Sequence, residues 1–124
     1  MDNKIMDNKI MDNKIMDNKI MDNIIINKLS TLTLNHQIKW NTIDHLTVRG
    51  TPYSQQFQHI LPDKSFFTKY EGKTFVVLYG EIRDFFRNRT IENYFLQEIQ
   101  GETIEDVNVP EEDIIKLHTI ISLV

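Results

Sequence analysis

The chain of 124 residues reads as a small α+β domain. The expected architecture is a mainly antiparallel sheet of about four strands in two hairpins, carrying three to four short helices and preceded by a low-complexity repeat. Three observations predict it. Thr74–Tyr79 is an unbroken run of β-branched and aromatic residues, the pattern of a strand covered on both faces. Glu71-Gly72 separates that run from a second one, Phe66–Tyr70, and glycine supplies the positive φ of a tight hairpin. Thr51-Pro52 and Pro110 with its three following carboxylates read as helix starts.

The chain begins with four perfect copies of MDNKI, and Met21–Ile25 starts a degenerate fifth. A five-residue step turns the side-chain direction by about 140° on a helix, so Met and Ile never align into one stripe. On a strand an odd repeat changes face with every copy. Residues 1–22 are therefore expected to be a disordered or weakly helical extension, and 23–124 a single α+β domain. Each unit opens with Met, as a tandem duplication of an initiation codon would produce, and Met21 reads as the ancestral start.

Beyond the repeat, Thr31-Leu32-Thr33-Leu34 alternates, and Ile38 and Trp40 keep the same parity. This predicts a half-buried strand, turned at Asn41–Asp44 and returning through His45–Arg49, with Gly50 closing the hairpin. Thr51-Pro52 then opens a helix carrying Tyr53, Phe57, Ile60 and Leu61 on one face, which Pro62 ends. After the central hairpin, Gly80 is expected to stop the strand. Ile82, Phe85 and Phe86 recur at helical spacing and predict a short amphipathic helix. Thr90 caps a further helix with Ile91, Tyr94, Phe95 and Ile99 on one face and Gly101 past its end. Thr103–Val109 reads as extended or loop. The last helix presents Ile114, Leu117, His118 and Ile121, a face wide enough to dock on the sheet or to form a homodimer interface.

Composition excludes several functions. There is no cysteine, hence no disulfide framework, thiolate metal site or cysteine nucleophile, and a cytoplasmic setting fits. No apolar run approaches a membrane span, so no membrane role is expected. Alanine is absent while Ile, Asn, Lys, Phe and Tyr abound, the bias of an AT-rich coding sequence such as that of a phage, a large DNA virus or a low-GC microbe. The net charge of −4 is uneven: Asn23–Thr90 holds nine Lys or Arg against five acids, whereas Ile91–Val124 holds eight acids against Lys116 alone. Such halves steer partners or attract each other.

No catalytic motif is present. His36, His45, His59 and His118 lack ligand spacing, no G-x-S-x-G surrounds a serine, and the four glycines occur singly. No cofactor and no metal site are expected. The sharpest local feature is Arg83, Arg87 and Arg89 around Phe85 and Phe86. On a helix Arg83 and Arg87 would project together to grip a phosphate or carboxylate, with Arg49, Lys69 and Lys73 as supporting cations. The bland alternative is a solvated face over a core made by the two phenylalanines. The expected function is a small non-enzymatic interaction protein, of the accessory kind found in viruses and mobile elements. It would bind a host protein or sequester a small anionic ligand. The alternative is a nucleic-acid-binding module using the basic, aromatic-rich segment 64–89.

Overall fold

The computed structural model describes residues 22–124, so the MDNKI copies and their expected extension lie outside the described residues. The fold is α+β, with a five-stranded, mainly antiparallel sheet and two α-helices. Residues 22–34 form helix α1. Seven short or long strands follow: β1 (Asn41–Thr42), β2 (Thr47–Val48), β3 (Thr51–Pro52), β4 (Phe66–Tyr70), β5 (Lys73–Asp84), β6 (Arg89–Gln100) and β7 (Thr103–Asp106). Helix α2 (Glu111–Leu123) closes the chain. The main sheet has the order β1-β4-β5-β6-β7, and β2 and β3 pair separately.

The strand expected at Thr31–Trp40 is instead the end of α1 and a loop. Ile26, Leu29 and Thr33 recur at helical spacing and are buried, and that period prevails over four alternating residues. The hydroxyls of Ser30, Thr31 and Thr33 donate to the carbonyls of Ile26, Asn27 and Leu29 at 2.9, 3.0 and 2.6 Å, which accommodates polar β-formers in a helix. The first hairpin is correspondingly shorter than expected. It joins β2 to β3 through Arg49 and Gly50, both with positive φ (56° and 77°). The helix expected after Thr51-Pro52 is one 3-10 turn, Tyr53–Gln56, and Pro62 begins another such turn rather than ending a helix.

The central hairpin is as the sequence predicts. Glu71 and Gly72 both take positive φ (52° and 76°), the type I′ geometry that matches strand twist. Alternate residues of β5 then serve two cores. Phe75 and Val77 meet Ile26, Leu29, Leu96, Ile114, Leu117 and Ile121 beneath the helices. Val76 and Leu78 meet Ile43, Leu46, Val48, Tyr53 and Ile99 on the opposite face, under the β2–β3 ribbon and its 3-10 turns. A continuous apolar run is what a strand buried on both faces requires.

Downstream of Tyr79 the strand continues where a stop was expected. Gly80 lies inside β5 because the crossing segment at His59 and Ile60 presses on it: a Cβ there would sit 2.9 Å from the His59 carbonyl oxygen. The helix expected at Ile82–Phe86 is strand as far as Asp84 and turn beyond it, and the one expected at Thr90–Gly101 is strand to Gln100; the two strands pair continuously from Thr74 with Ile99 to Asp84 with Arg89. A long antiparallel ladder outweighs the local cap at Thr90, and the segment is rich in β-branched and aromatic residues. Helix α2 falls where the sequence puts it, with Glu111, Glu112 and Asp113 in its first turn, and β7 takes the first part of the segment read as extended or loop.

Candidate functional site

Strands β5 and β6 are each 12 residues long, whereas β4 reaches only Val77 of β5 and β7 reaches only Gln97 of β6. Past those points the hairpin is braced on one side by Leu61 N–H to the Tyr79 carbonyl (2.9 Å) and Glu81 N–H to the His59 carbonyl (3.0 Å). Beyond Glu81 and Glu92 it projects as a two-stranded arm with no strand beside it among the described residues.

The tip of this arm is Phe85–Asn88. Asp84 builds it: its carboxylate accepts the backbone N–H groups of Phe86 (3.1 Å) and Arg87 (3.3 Å). It also lies 3.9 Å from Arg87 Nε and 4.0 Å from Arg89 Nε. Asn88 takes φ 49°, a conformation asparagine tolerates, and its side-chain oxygen accepts from the Arg83 guanidinium. Phe85 and Phe86 therefore point into solvent, 84% and 103% exposed. Behind them, Ile82 and its cross-strand partner Ile91, with Phe95, leave a partly exposed apolar stripe.

The arginines of the sequence motif are thus brought together, but by a turn rather than a helix. Arg83 lies on β5, Arg87 in the turn and Arg89 on β6, so the three flank or share the turn that carries the two rings. Phe85 and Phe86 are not core, contrary to the bland expectation. The supporting cations are elsewhere. Lys73 begins β5 and pairs with Glu98 at 2.5 Å, which raises its pKa chiefly through that hydrogen bond. From Lys73 to Asp84 the strand runs roughly 36 Å at about 3.3 Å per residue. Lys69 is exposed on β4, and Arg49 donates to the Glu102 carbonyl at 2.6 Å.

The four residues proposed for a dimer interface on α2 sit against the chain's own sheet. Ile114, Leu117 and Ile121 are buried in the helix-side core. The His118 ring lies among Phe66, Tyr79 and Tyr94, with centroids 5.2–5.6 Å apart, and its Nε2 is 2.8 Å from the Lys64 carbonyl oxygen. Burial raises the Tyr79 and Tyr94 phenol pKa values, helped by hydrogen bonds to Glu81 and Glu92.

Chemically the arm is suited to recognition. Two unburied rings offer apolar area, and guanidinium groups held only by exposed pairs exchange partners at little cost. Among the described residues no group of three or more His, Cys, Asp or Glu side chains is placed to hold a metal ion. No helix among them is long and apolar enough to cross a membrane. The sequence contained one usable signal for the arm: Asp84 and Asn88, turn formers that flank Phe85–Arg87 between two β-prone runs. Comparison with family models, curated proteins and solved structures returned no significant match, so function is argued from the site's own geometry.

Proposed function

We propose that this protein is a non-enzymatic interaction module that captures a protein partner with the tip of the β5–β6 arm. The observation that carries this reading is the exposure of Phe85 and Phe86, 84% and 103%, at the end of a projection built by Asp84. Burying one such ring contributes about 1.5–3 kcal/mol, a penalty for leaving it in water that a monomer gains nothing by keeping. Arg83, Arg87 and Arg89 would add orientation by pairing with carboxylates at the rim of the partner's pocket. The same cations would serve a small anionic ligand less well, since the tip is convex and encloses nothing.

The test is co-purification from the source cell by the wild-type chain and by Phe85→Ser with Phe86→Ser. A partner captured by the wild type and lost by the double variant, with the melting temperature unchanged, is the expected result. Capture of the same proteins by both would sink the reading.

The alternative, nucleic-acid binding, is favoured by one feature of the arm, namely three arginines interleaved with two free rings, the combination that stacks and neutralises single strands. Against it stand Glu81 and Glu92, paired across the base of the arm, and the acidic C-terminal third. If three phosphates were neutralised, log affinity for a labelled single strand would fall with log salt at a slope of about −2. Binding that is absent or flat with salt removes this alternative.

A further inference from the structure

A groove of about 280 Å³ opens on the outer edge of β6, where β7 has ended and the chain crosses toward α2. Its lining mixes apolar side chains, Phe95, Val107, Val109 and Ile114 among them, with polar ones that include Asp106 and Glu111. Among the described residues neither carboxylate has an ion-pair partner, and Glu112 and Asp113 follow on the same turn of α2. An aromatic ring needs a void on the order of 150 Å³. A lining of apolar and acidic side chains is thus the complement of the arm's tip, which is aromatic and carries Arg83, Arg87 and Arg89 against Asp84 alone.

The tip cannot reach the groove of its own chain. From Arg89 to Tyr94 the ladder holds the strand extended, a separation of about 17 Å. Between the two patches β6 has a free edge. Val107 N–H donates to the Leu96 carbonyl at 2.8 Å, so the even-numbered residues of β6 direct their backbone groups away from β5. Thr90, Glu92 and Tyr94 continue that row, and no strand faces them among the described residues. An open strand edge is a template for another strand.

We propose that the partner of the arm is a second copy of this chain. Two β6 edges pair antiparallel about a two-fold axis, and the tip of each arm enters the edge groove of the other. Phe85 and Phe86 then meet Val107, Val109 and Ile114, while Arg87 and Arg89 face Asp106 and Glu111. One rotation satisfies both contacts, because a two-fold interface uses each patch twice. This inference rests on the reading of the arm as a capture surface and identifies what it captures.

Sedimentation velocity of the full chain over a wide concentration range tests it. The expected result is a reversible dimer. Phe85→Ser with Phe86→Ser should raise its dissociation constant at least about 100-fold, because an aromatic anchor is lost twice in a symmetric interface. Glu111→Arg, on the opposite patch, should weaken it by at least about 10-fold. Glu92→Pro should do the same, since it removes an outward N–H while leaving the β5–β6 ladder intact. Unchanged circular dichroism and melting temperature certify each fold. A wild-type chain that stays monomeric at every concentration, or a dimer indifferent to both the tip and the Glu111 substitutions, overturns the proposal. So does tip-dependent binding of an oligonucleotide by a monomer. If the chain is monomeric yet tip variants still lose a heterologous partner on co-purification, only self-association fails and the capture reading stands.

Discussion

Thr33 shows how one hydroxyl ties a helix to the loop after it. Fully buried, it donates to the Leu29 carbonyl at 2.6 Å and accepts from Trp40 Nε1 at 2.9 Å. Thr33→Val keeps the shape and strands the indole N–H, so it should cost about 1–3 kcal/mol in chemical denaturation. A loss below the error of the measurement would mean that water satisfies the indole instead. Tyrosines give the pH dependence. Burial, then the Asp106 charge, pushes the Tyr53 pKa up to about 12. Burial, then hydrogen bonding to glutamates, raises those of Tyr79 and Tyr94. Each folded value lies above the unfolded one, so the folded state holds these protons more tightly. Their stabilisation is complete below about pH 10 and is lost as pH rises through the folded values. Melting temperature should be level as pH approaches 9 and fall above 10, with tyrosinate absorbance rising late. Tyrosinate absorbance that rises along the free-tyrosine curve and is complete by pH 11 would contradict this.

At the scale of elements, β5 is what the sequence shows best, and its far end is what it hides. Thr74–Tyr79 had one reading, because a run apolar at every position fits only a segment covered on both faces. Ile82, Phe85 and Phe86 had two, since a spacing of three or four is helical only if the backbone is. Gly80 looked like a stop because a glycine's role depends on its neighbours, and His59 comes from 21 positions upstream. Gly80→Ala should therefore destabilise by about 1–3 kcal/mol, the clash with the His59 carbonyl exceeding the gain from a stiffer unfolded chain. Equal or greater stability in urea would show that the crossing segment yields. The arm beyond it touches neither core, so serine at Phe85 and Phe86 should move the melting temperature by less than about 2 °C. Arg83, Arg87 and Arg89 were legible as a cluster, and their grouping survived a change of backbone from helix to turn. Arg49, Lys69 and Lys73 did not join them, because proximity in sequence along a long strand becomes distance in space.

Across the whole molecule, α1 and α2 cover one face of the sheet and the β2–β3 layer covers the other, so the boundary of the folding unit can be tested by truncation. Removing residues 1–20 is expected to leave the cooperative transition in place, since the MDNKI period supports no buried face in either helix or strand. Removing residues 1–34 deletes Ile26, Leu29 and Thr33 from the core and should abolish cooperative unfolding. A first truncation that unfolds the chain, or a second that does not, would redraw the domain. The sequence by itself determined the α+β class, the central hairpin turning at Glu71-Gly72, the C-terminal helix and the uneven charge. Those features depend on local periodicity, glycine conformation and composition, which need no knowledge of neighbours. Tertiary structure alone decided that Thr90–Gln100 is strand, that Phe85 and Phe86 stand in water, and that an acidic groove opens where β7 ends. Each of these depends on which distant segment supplies hydrogen bonds or cover, and in an antiparallel sheet those partners are fixed by the ladder rather than by the residues beside them in the chain.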